Sequence, residues 1–554
     1  MALFAELRRR NVLKVAFLYV VASWLAVWFV DAIRPNVDLP GWTDAFVYAL
    51  LAAGFPVALW FAWTYEITAS GLKKAVEVDQ TQSIVYKTGQ KLNAAVAVFL
   101  VLGVLAVFGQ RLLPTFEFLV PAPLEGDPPI SSRTPAEIRS LVLDNGLKII
   151  VWPDHDIPNV VMYNFVRAGG RNEYPGITGL SHFFEHMMFL GTSNRAPGEF
   201  DTEMEAAGGA NNAYTSSDLT VYMDWFPRSA LEVIFDLEAD RGENLAFMPK
   251  VINSERAVVQ AERRSGLDNN NFGKLHEQLR ATAFIAHPYQ FPVIGWPSDI
   301  AAWSEEQLRN HYTTYYAPNN RTVVFVGDVT AEEIFDLAEE YFAPIPAQTP
   351  PPRVLTEEPE QLGERRILVQ AAAQTPLLQM AFHAASAADP QTLHMSLLLN
   401  ILTGGDSSRL YRLFVEEQGV ALSIGAYQDE GFDPGLVVFY LALPPDGNPD
   451  AVAGAVLKQL QRVADEGVSD AELAKARNIL VADYWRGLAT IDGKARAIGQ
   501  FEVFHGSYER LFDVPAAVAG VTNEELRSVA ASVFRRNNMT MGVLQAPATP
   551  EDES

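Results

Sequence analysis

The chain has 554 residues, enough for several domains, and its 67 acidic and 42 basic side chains give a formal net charge of −25. It contains no cysteine, which excludes disulfides, thiol catalysis and thiolate metal sites but leaves the cellular compartment open. The acidic balance makes nucleic acid a poor partner. The same balance could favour basic peptide substrates, or it could serve solubility alone.

The first 113 residues predict a membrane module with about three transmembrane helices. Segments 15–30, 45–65 and 92–110 contain no charged side chain, and a helix needs about 20 mostly apolar residues to span a bilayer. Tryptophan and tyrosine cluster near the segment ends, as aromatic residues do at membrane interfaces. The alternatives are a cleavable signal peptide for the first segment, or a hairpin of buried soluble helices.

Basic residues decide the predicted orientation of this module. They precede the first segment and occupy the second loop, as Arg8, Arg9, Arg10, Lys14, Lys73, Lys74, Lys87 and Lys91. The positive-inside rule puts both regions in the cytoplasm, so three spans predict a multi-pass protein of a bacterial inner membrane with its main domain in the periplasm. If one span fails, that domain lies in the cytoplasm. The stretch Phe4–Thr68 also resembles an N-terminal membrane module found ahead of various bacterial effector domains, which implies anchoring only.

Two proline-rich stretches, 114–137 and 344–366, predict linkers that divide the rest of the chain. They delimit a first domain at 138–343 and a second of similar size at 367–545, and the acidic tail 546–554 is predicted to be disordered. Both domains mix alternating strand runs with amphipathic helical patterns. The predicted class is therefore α+β, with two similar halves that are each a mostly antiparallel sheet covered by helices.

A metal-binding pattern stands in the first domain, in the stretch GlyLeuSerHisPhePheGluHis. His182 and His186 are four residues apart, so both imidazoles lie on one helix face, one turn apart. Both can then reach a single Zn²⁺, with the Glu185 carboxylate beside it. This HxxEH order is the reverse of HExxH and is typical of inverzincin metallopeptidases. The alternative is a pair of core histidines bonded to backbone carbonyls.

A catalytic zinc site needs a third protein ligand and an open fourth position. Glu255 and Glu262 are seven residues apart, which puts them on one helix face two turns from each other. Taken alone, this segment is more typical of a solvated charged helix, because Arg256, Arg263 and Arg264 could pair with these acids. The spacing therefore supplies candidates and leaves the choice open.

Further motifs surround these helices: LeuValLeuAspAsnGlyLeuLysIleIleVal at 141–151, GlyAlaAsnAsnAlaTyrThrSerSerAsp at 209–218, HisProTyr at 287–289, ValIleGlyTrpProSerAspIle at 293–300, TyrTyrAlaProAsnAsn at 315–320 and ValGlyAspVal at 326–329. With the HxxEH helix they closely resemble the pitrilysin family of zinc metallopeptidases, which includes insulin-degrading enzyme and the mitochondrial processing peptidase. The resemblance runs from about residue 138 to 545. It implies one Zn²⁺ per chain held by His182, His186 and Glu262, with Glu185 as the catalytic base.

The resemblance also implies roles around this centre. Glu255 would support the zinc site from behind, and Asn212 with Ala213 would border the substrate cleft. The first domain would be the zinc peptidase domain and the second a related domain without zinc, the two forming a pseudo-repeat that encloses a cleft. An exposed sheet edge in the cleft would bind substrate as an added strand, which favours extended or unfolded peptides.

The second domain departs from the family pattern at two positions. Where the family usually has an Arg and a Tyr that bind substrate and steady the oxyanion, this chain has Val415 and Leu422, which cannot donate a hydrogen bond. One expectation is a sister subunit that supplies both donors; the other is slow cleavage or a different substrate clamp. The predicted function is a membrane-anchored zinc metalloendopeptidase. The alternatives are a catalytically silent scaffold or peptide-binding subunit, and a membrane signalling protein that uses the peptidase domain as a sensor.

Overall fold

A computed structural model describes residues 135–547, the strands β1 (Tyr65–Thr68) and β2 (Gly71–Lys74), and the single positions Ser23, Leu51 and Phe55. β1 and β2 pair as an antiparallel hairpin. The chain forms two compact units, Met1–Asp127 and Pro128–Ser554. The second unit contains two larger sheets and carries the candidate site.

The first sheet is mixed and six-stranded. Its strands are β3 (Arg139–Val142), β4 (Lys148–Pro153), β5 (Asn159–Val166), β6 (Ala210–Thr215), β7 (Thr220–Pro227) and β8 (Arg321–Gly327). They lie in the order β3-β4-β8-β5-β7-β6, and only the β4–β8 pair in this sheet is parallel. β6 is consequently an edge strand.

The second sheet repeats this topology. Its strands are β9 (Arg365–Gln370), β10 (Leu377–His383), β11 (Ser423–Gln428), β12 (Leu436–Ala442) and β13 (Met539–Gln545). The order β9-β13-β10-β12-β11, with β9 and β13 parallel, matches the order β4-β8-β5-β7-β6 of the first sheet. The α+β class with two similar halves is therefore confirmed, and each half adds one parallel pair to a mostly antiparallel sheet.

Helices cover both sheets. In the described part of the chain they are α1 (Leu180–Met187), α2 (Glu199–Ala206), α3 (Leu231–Glu243), α4 (Pro249–Arg263), α5 (Asn271–Ala283), α6 (Pro297–Ala302), α7 (Glu305–Tyr315), α8 (Ala331–Tyr341), α9 (Pro390–Thr403), α10 (Arg409–Tyr411), α11 (Pro449–Glu466), α12 (Asp470–Gly487), α13 (Ile491–His505), α14 (Val514–Gly520) and α15 (Asn523–Val533). Their starts follow local sequence: α4 begins with proline at its first position, and Ser304 caps α7 together with Gln307.

The prediction of a multi-pass inner-membrane protein is wrong for the part of the chain that the structure describes. No helix there combines the length and the apolar composition needed to cross a bilayer. The longest, α11 and α12, have 18 residues each and carry charged side chains, whereas a span takes about 20 mostly apolar residues. The segments 15–30, 45–65 and 92–110 lie outside the described residues apart from isolated positions, as do most of the predicted linker and tail. The predicted periplasmic placement followed from the multi-pass prediction and is corrected together with it.

Both faces of the first sheet are buried. On β5, Val160 and Met162 pack into the cluster that includes α3 and α8, whereas Val161 and Tyr163 pack into a second cluster on the opposite face. Successive strand residues point to opposite faces, so a strand covered on both sides reads as a continuous apolar run. The second cluster contains Ile498 of α13, a helix from the other half.

Each half packs one helix against the sheet of the other half. α13 of the second half lies against β5 and β8 of the first sheet, and α5 of the first half lies against β9, β10 and β13 of the second sheet. α13 approaches closely because Gly499 has no side chain: a Cβ there would stand 1.9 Å from the ring of Phe165. Each half therefore completes the core of the other.

Gly499→Ala is expected to destabilise the protein by about 1–3 kcal/mol, because the added methyl overfills a packed core. The matched control is Gly454→Ala on α11, where a Cβ meets nothing within 4 Å. That variant is expected to gain about 0.5–1 kcal/mol from helix propensity. Denaturant unfolding followed by circular dichroism measures both, and equal stabilisation of the two variants would contradict the close packing of α13.

Candidate functional site

The site is built on α1, an eight-residue helix that carries His182, Glu185 and His186. The opposite side of α1 packs into a core cluster through Phe183, Phe184 and Met187, all fully buried. The apolar side chains between the polar ones therefore hold the helix, and the two histidines with the carboxylate face α4 and β6.

The first turn of α1 is anchored by a buried carboxylate that the sequence analysis did not single out. Glu173 accepts hydrogen bonds from the backbone N–H of Gly179, at 2.6 Å, and of Ser181, at 2.7 Å. Burial raises the pKa of Glu173 to about 7, although the two N–H donors oppose this shift. Gly179 stands at φ +87°, which only glycine adopts readily, so the chain can turn sharply into the helix. This anchor fixes the position of the first turn of α1, which carries His182.

The three predicted metal ligands converge. His182 Nε2 lies 3.6 Å from Glu262 Oε1, and His186 Nε2 lies 3.5 Å from Glu262 Oε2. All three candidate ligand atoms lie within 4.8 Å of one another. Ligands at about 2.0–2.1 Å from a tetrahedral zinc stand about 3.4 Å apart, so these separations fit the ion without rearrangement of the backbone.

Glu255 and Glu262, both on α4, take different positions around His186. Glu255 Oε1 lies 2.7 Å from His186 Nδ1, so it holds the ring with Nε2 turned towards Glu262. Burial lowers the pKa of His186, but the two carboxylates outweigh burial and raise it to about 9. The imidazoles of His182 and His186 hold the pKa of Glu262 well below its usual range. The two carboxylates thus stabilise a positive charge at His186, and they would equally stabilise a metal cation bound beside it.

Glu255→Gln is expected to weaken zinc affinity or activity by about 10–100-fold, because a neutral amide polarises the His186 ring less than a carboxylate. Ser254→Ala, at an exposed neighbouring position on α4, is the matched control and is expected to behave as the parent. Competition with a fluorescent zinc chelator measures the affinity. Parent-like zinc binding and cleavage by Glu255→Gln would show that Glu255 has no supporting role.

The edge strand β6 runs beside α1. Asn212 is exposed on this strand, and Ala213 packs against the cluster that holds α1. The next residue, Tyr214, points to the opposite face and packs near α13. Thr215 ends the strand, and its hydroxyl donates a 2.6 Å hydrogen bond to Glu185 Oε2. Period-two alternation from Ala213 was the signal that could have identified Thr215, which the sequence analysis quoted within a motif but gave no role.

A cavity of about 510 Å³ adjoins the metal cluster. His182 and Glu262 border it. Leu267, Phe291, Pro292, Val293 and Ile294 form an apolar part of its wall, and polar residues that include His276, Glu277 and Arg280 line the rest. A peptide bond placed at the cluster would bring a neighbouring side chain to this cavity.

The second half adds no hydrogen-bond donor at the two positions singled out in the sequence. Val415 packs against the core of that half, and Leu422 is 55% exposed just before β11. Both side chains are aliphatic, so neither can stabilise an oxyanion.

Comparison with known proteins covers both halves. Residues 154–295 match the family described as Insulinase (Peptidase family M16), and residues 302–480 match the Peptidase M16 inactive domain. The chain is 26% identical over 405 residues to Zinc protease PqqE of Helicobacter pylori, which covers 72% of this chain and 91% of that protein. It is 24% identical over 401 residues to the uncharacterized zinc protease YmxG of Bacillus subtilis, covering 72% and 96%. The crystal structure of a protease from Helicobacter pylori superposes with a TM-score of 0.71 at 25% identity, covering 74% of this chain and 99% of that one.

Proposed function

Because the chain belongs to the peptidase M16 family, the pitrilysin family that its motifs resemble, we propose that it is a zinc metalloendopeptidase acting on extended peptides or unfolded segments. The observation that carries the proposal is the convergence of His182, His186 and Glu262 at separations that suit one tetrahedral zinc. Relatives named zinc proteases support the choice of metal.

Different residues of the chain have different roles in the proposed hydrolysis. His182, His186 and Glu262 would hold a zinc ion, which would supply a Lewis acid to polarise a carbonyl and to lower the pKa of water. Glu185, one residue before His186 and half-buried, accepts the proton of the attacking water and passes it to the leaving amine. Glu255 keeps His186 in the tautomer that offers Nε2 to the metal.

The surroundings of the cluster support an extended substrate. β6 is an edge strand beside α1, and an edge strand can accept a peptide through main-chain hydrogen bonds. The apolar part of the cavity wall, which includes Leu267, Phe291 and Val293, suits an apolar substrate side chain next to the scissile bond. A folded protein cannot present a strand in this way without local unfolding.

We propose in addition that a sister subunit supplies the Arg and Tyr that Val415 and Leu422 replace. Loss of one oxyanion donor typically costs about 10²–10³ in rate, so a chain that lacks both is a weak catalyst alone. The opposite proposal, a silent scaffold, has to explain why four polar residues remain placed for zinc chemistry.

The decisive experiment uses the full chain with one equivalent of zinc and quenched fluorescent peptides rich in apolar residues. Cleavage, alone or with a partner recovered by cross-linking from native extracts, should stop on chelation and return with zinc. Rapid cleavage by the pure chain would refute the sister subunit. Peptide binding without cleavage, with and without the recovered partner, would establish the silent scaffold instead.

A further inference from the structure

We propose that Thr215 is a positioning residue that holds Glu185 in the orientation needed for proton transfer; this inference rests on the proposed function. The hydroxyl of Thr215 donates to Glu185 Oε2 at 2.6 Å, which is at the short end of the range for an O–H···O hydrogen bond. A glutamate side chain otherwise turns about three bonds, and ordering it costs conformational entropy. The bond to Thr215 removes much of that freedom before substrate arrives.

The bond also gives the two carboxylate oxygens of Glu185 different roles. Thr215 engages Oε2, so Oε1 is the oxygen left to receive a proton. A carboxylate can accept on both oxygens at once, and the donor on one does not block the other. The hydroxyl therefore orients the base without taking its reactive position.

Thr215 can do this because its own position is closely determined. It pairs with Thr220 as the last residue pair between β6 and β7. The turn that follows is closed by a 2.7 Å bond from Ser216 N to Leu219 O, and Ser216 Oγ accepts from the N–H of Asp218 and of Leu219. Thr215 is β-branched, which restricts its first side-chain torsion.

Neighbouring backbone braces this turn on one side. Arg171 N donates to Ser217 O at 2.7 Å, and Gly170 N donates to Ser216 O at 3.3 Å. The approach requires glycine at position 169, where a Cβ would stand 2.6 Å from Ser216 O. The turn therefore cannot move away from α1 without breaking these contacts.

Tyr289 of the first half links the same turn to the second half. Tyr289 donates its hydroxyl to Asp218 at 2.8 Å, and the N–H of Asp433, from the loop between β11 and β12, donates to that hydroxyl oxygen at 3.2 Å. The half without metal ligands thereby contributes to the position of Glu185. A threonine at a free strand end would have no such support.

The test compares Thr215→Val, which removes the hydroxyl at nearly constant shape, with Thr215→Ser, which restores it. Thr215→Val is expected to lower kcat by about 10–100-fold, the usual effect of a lost supporting contact, with KM and zinc affinity nearly unchanged. Thr215→Ser is expected to recover most of that loss. Thr220→Val is the matched control, because the Thr220 hydroxyl donates to Ala168 O at 2.9 Å and not to Glu185. Equal kcat for Thr215→Val and the parent would overturn the proposal.

A binding measurement separates this proposal from the proposed function. A peptidyl hydroxamate gives its proton to the glutamate when it binds zinc, whereas a peptidyl ligand that ends in a neutral pyridine binds the metal with no proton to give. Thr215→Val is expected to weaken the hydroxamate about tenfold and leave the pyridine ligand unchanged, as a lost hydrogen bond to a charged group predicts. Equal loss for both ligands, or for neither, would overturn the positioning role even if the parent cleaves nothing.

A metal-free readout covers the case in which the chain binds no zinc. Crystals of the metal-free parent should show the Glu185 carboxylate in one position, and those of Thr215→Val should show it in several. One shared position in both would overturn the proposal. Failure of the parent to cleave any peptide with and without the recovered partner, together with a mobile Glu185 in Thr215→Val, would instead refute the proposed function alone.

Discussion

Glu185→Gln is expected to reduce kcat by about 10²–10⁴-fold, the contribution that a positioned general acid and base makes to such a reaction. Glutamine has nearly the same shape as glutamate and can still accept from Thr215, so the site keeps its structure. What it loses is the ability to accept a proton from water and return it to the leaving amine. Initial rates on a quenched fluorescent peptide, with the partner present if one is required, measure the effect.

The zinc content of Glu185→Gln should match that of the parent, because its carboxylate is not among the three converging ligand atoms. Glu205→Gln, at an exposed position on α2, is the matched control for the loss of one negative charge. Residual activity within a few-fold of the parent would show that another group transfers the proton. A parallel loss of zinc would show that Glu185 binds the metal instead.

Glu262→Ala is expected to weaken zinc binding by more than the 10–100-fold typical of a supporting contact, because it removes a ligand and its charge together. The two imidazoles that remain come from one helical turn and cannot complete a site of three ligands. Competition with a chelator of known affinity gives the dissociation constant. Thermal unfolding gives a second measure, since zinc at about 100 times its Kd stabilises the folded state by about 2.7 kcal/mol.

The contrast with Glu255→Gln makes this prediction specific. Both glutamates lie on α4 and both contact His186, but only Glu262 also approaches His182. Zinc affinity should therefore fall in the order parent, Glu255→Gln, Glu262→Ala. One tightly bound zinc per chain in Glu262→Ala would remove this carboxylate from the ligand set, and the hydrolytic mechanism would have to be abandoned.

The second half has a structural part in the site although it holds none of the ligands. Its helix α13 fills one face of the first sheet. Its loop at Asp433 donates to the hydroxyl of Tyr289, which in turn donates to Asp218 in the turn after Thr215. If the second half had no role in the protein, substitutions at Gly499 and Asp433 would have little effect. The contacts explain why the second half has to stay packed against the first, which carries the three candidate ligands.

Local spacing in the sequence was sufficient to place both imidazoles on one helix face and to predict the class of fold. Residues four apart on a helix share a face whatever surrounds them, so His182 and His186 could be paired from the sequence alone. The alternation of strand and helix patterns predicted two α+β halves for the same reason, since period two and period 3.6 are local properties. The membrane prediction rested on apolar length, and in the described residues no helix has that property.

Only the tertiary structure decided which distant groups meet. Glu255 and Glu262 share one helix face, and this segment taken alone favoured a solvated charged helix. Their different contacts with His186 follow from how α4 packs against α1. Thr215 meets Glu185 through strand pairing across 30 residues of chain, and Gly499 meets Phe165 from the opposite half. Periodicity can place a residue such as Thr215 on one face of a strand, but it does not predict which distant group that residue meets, because such contacts depend on the placement of whole sheets and helices.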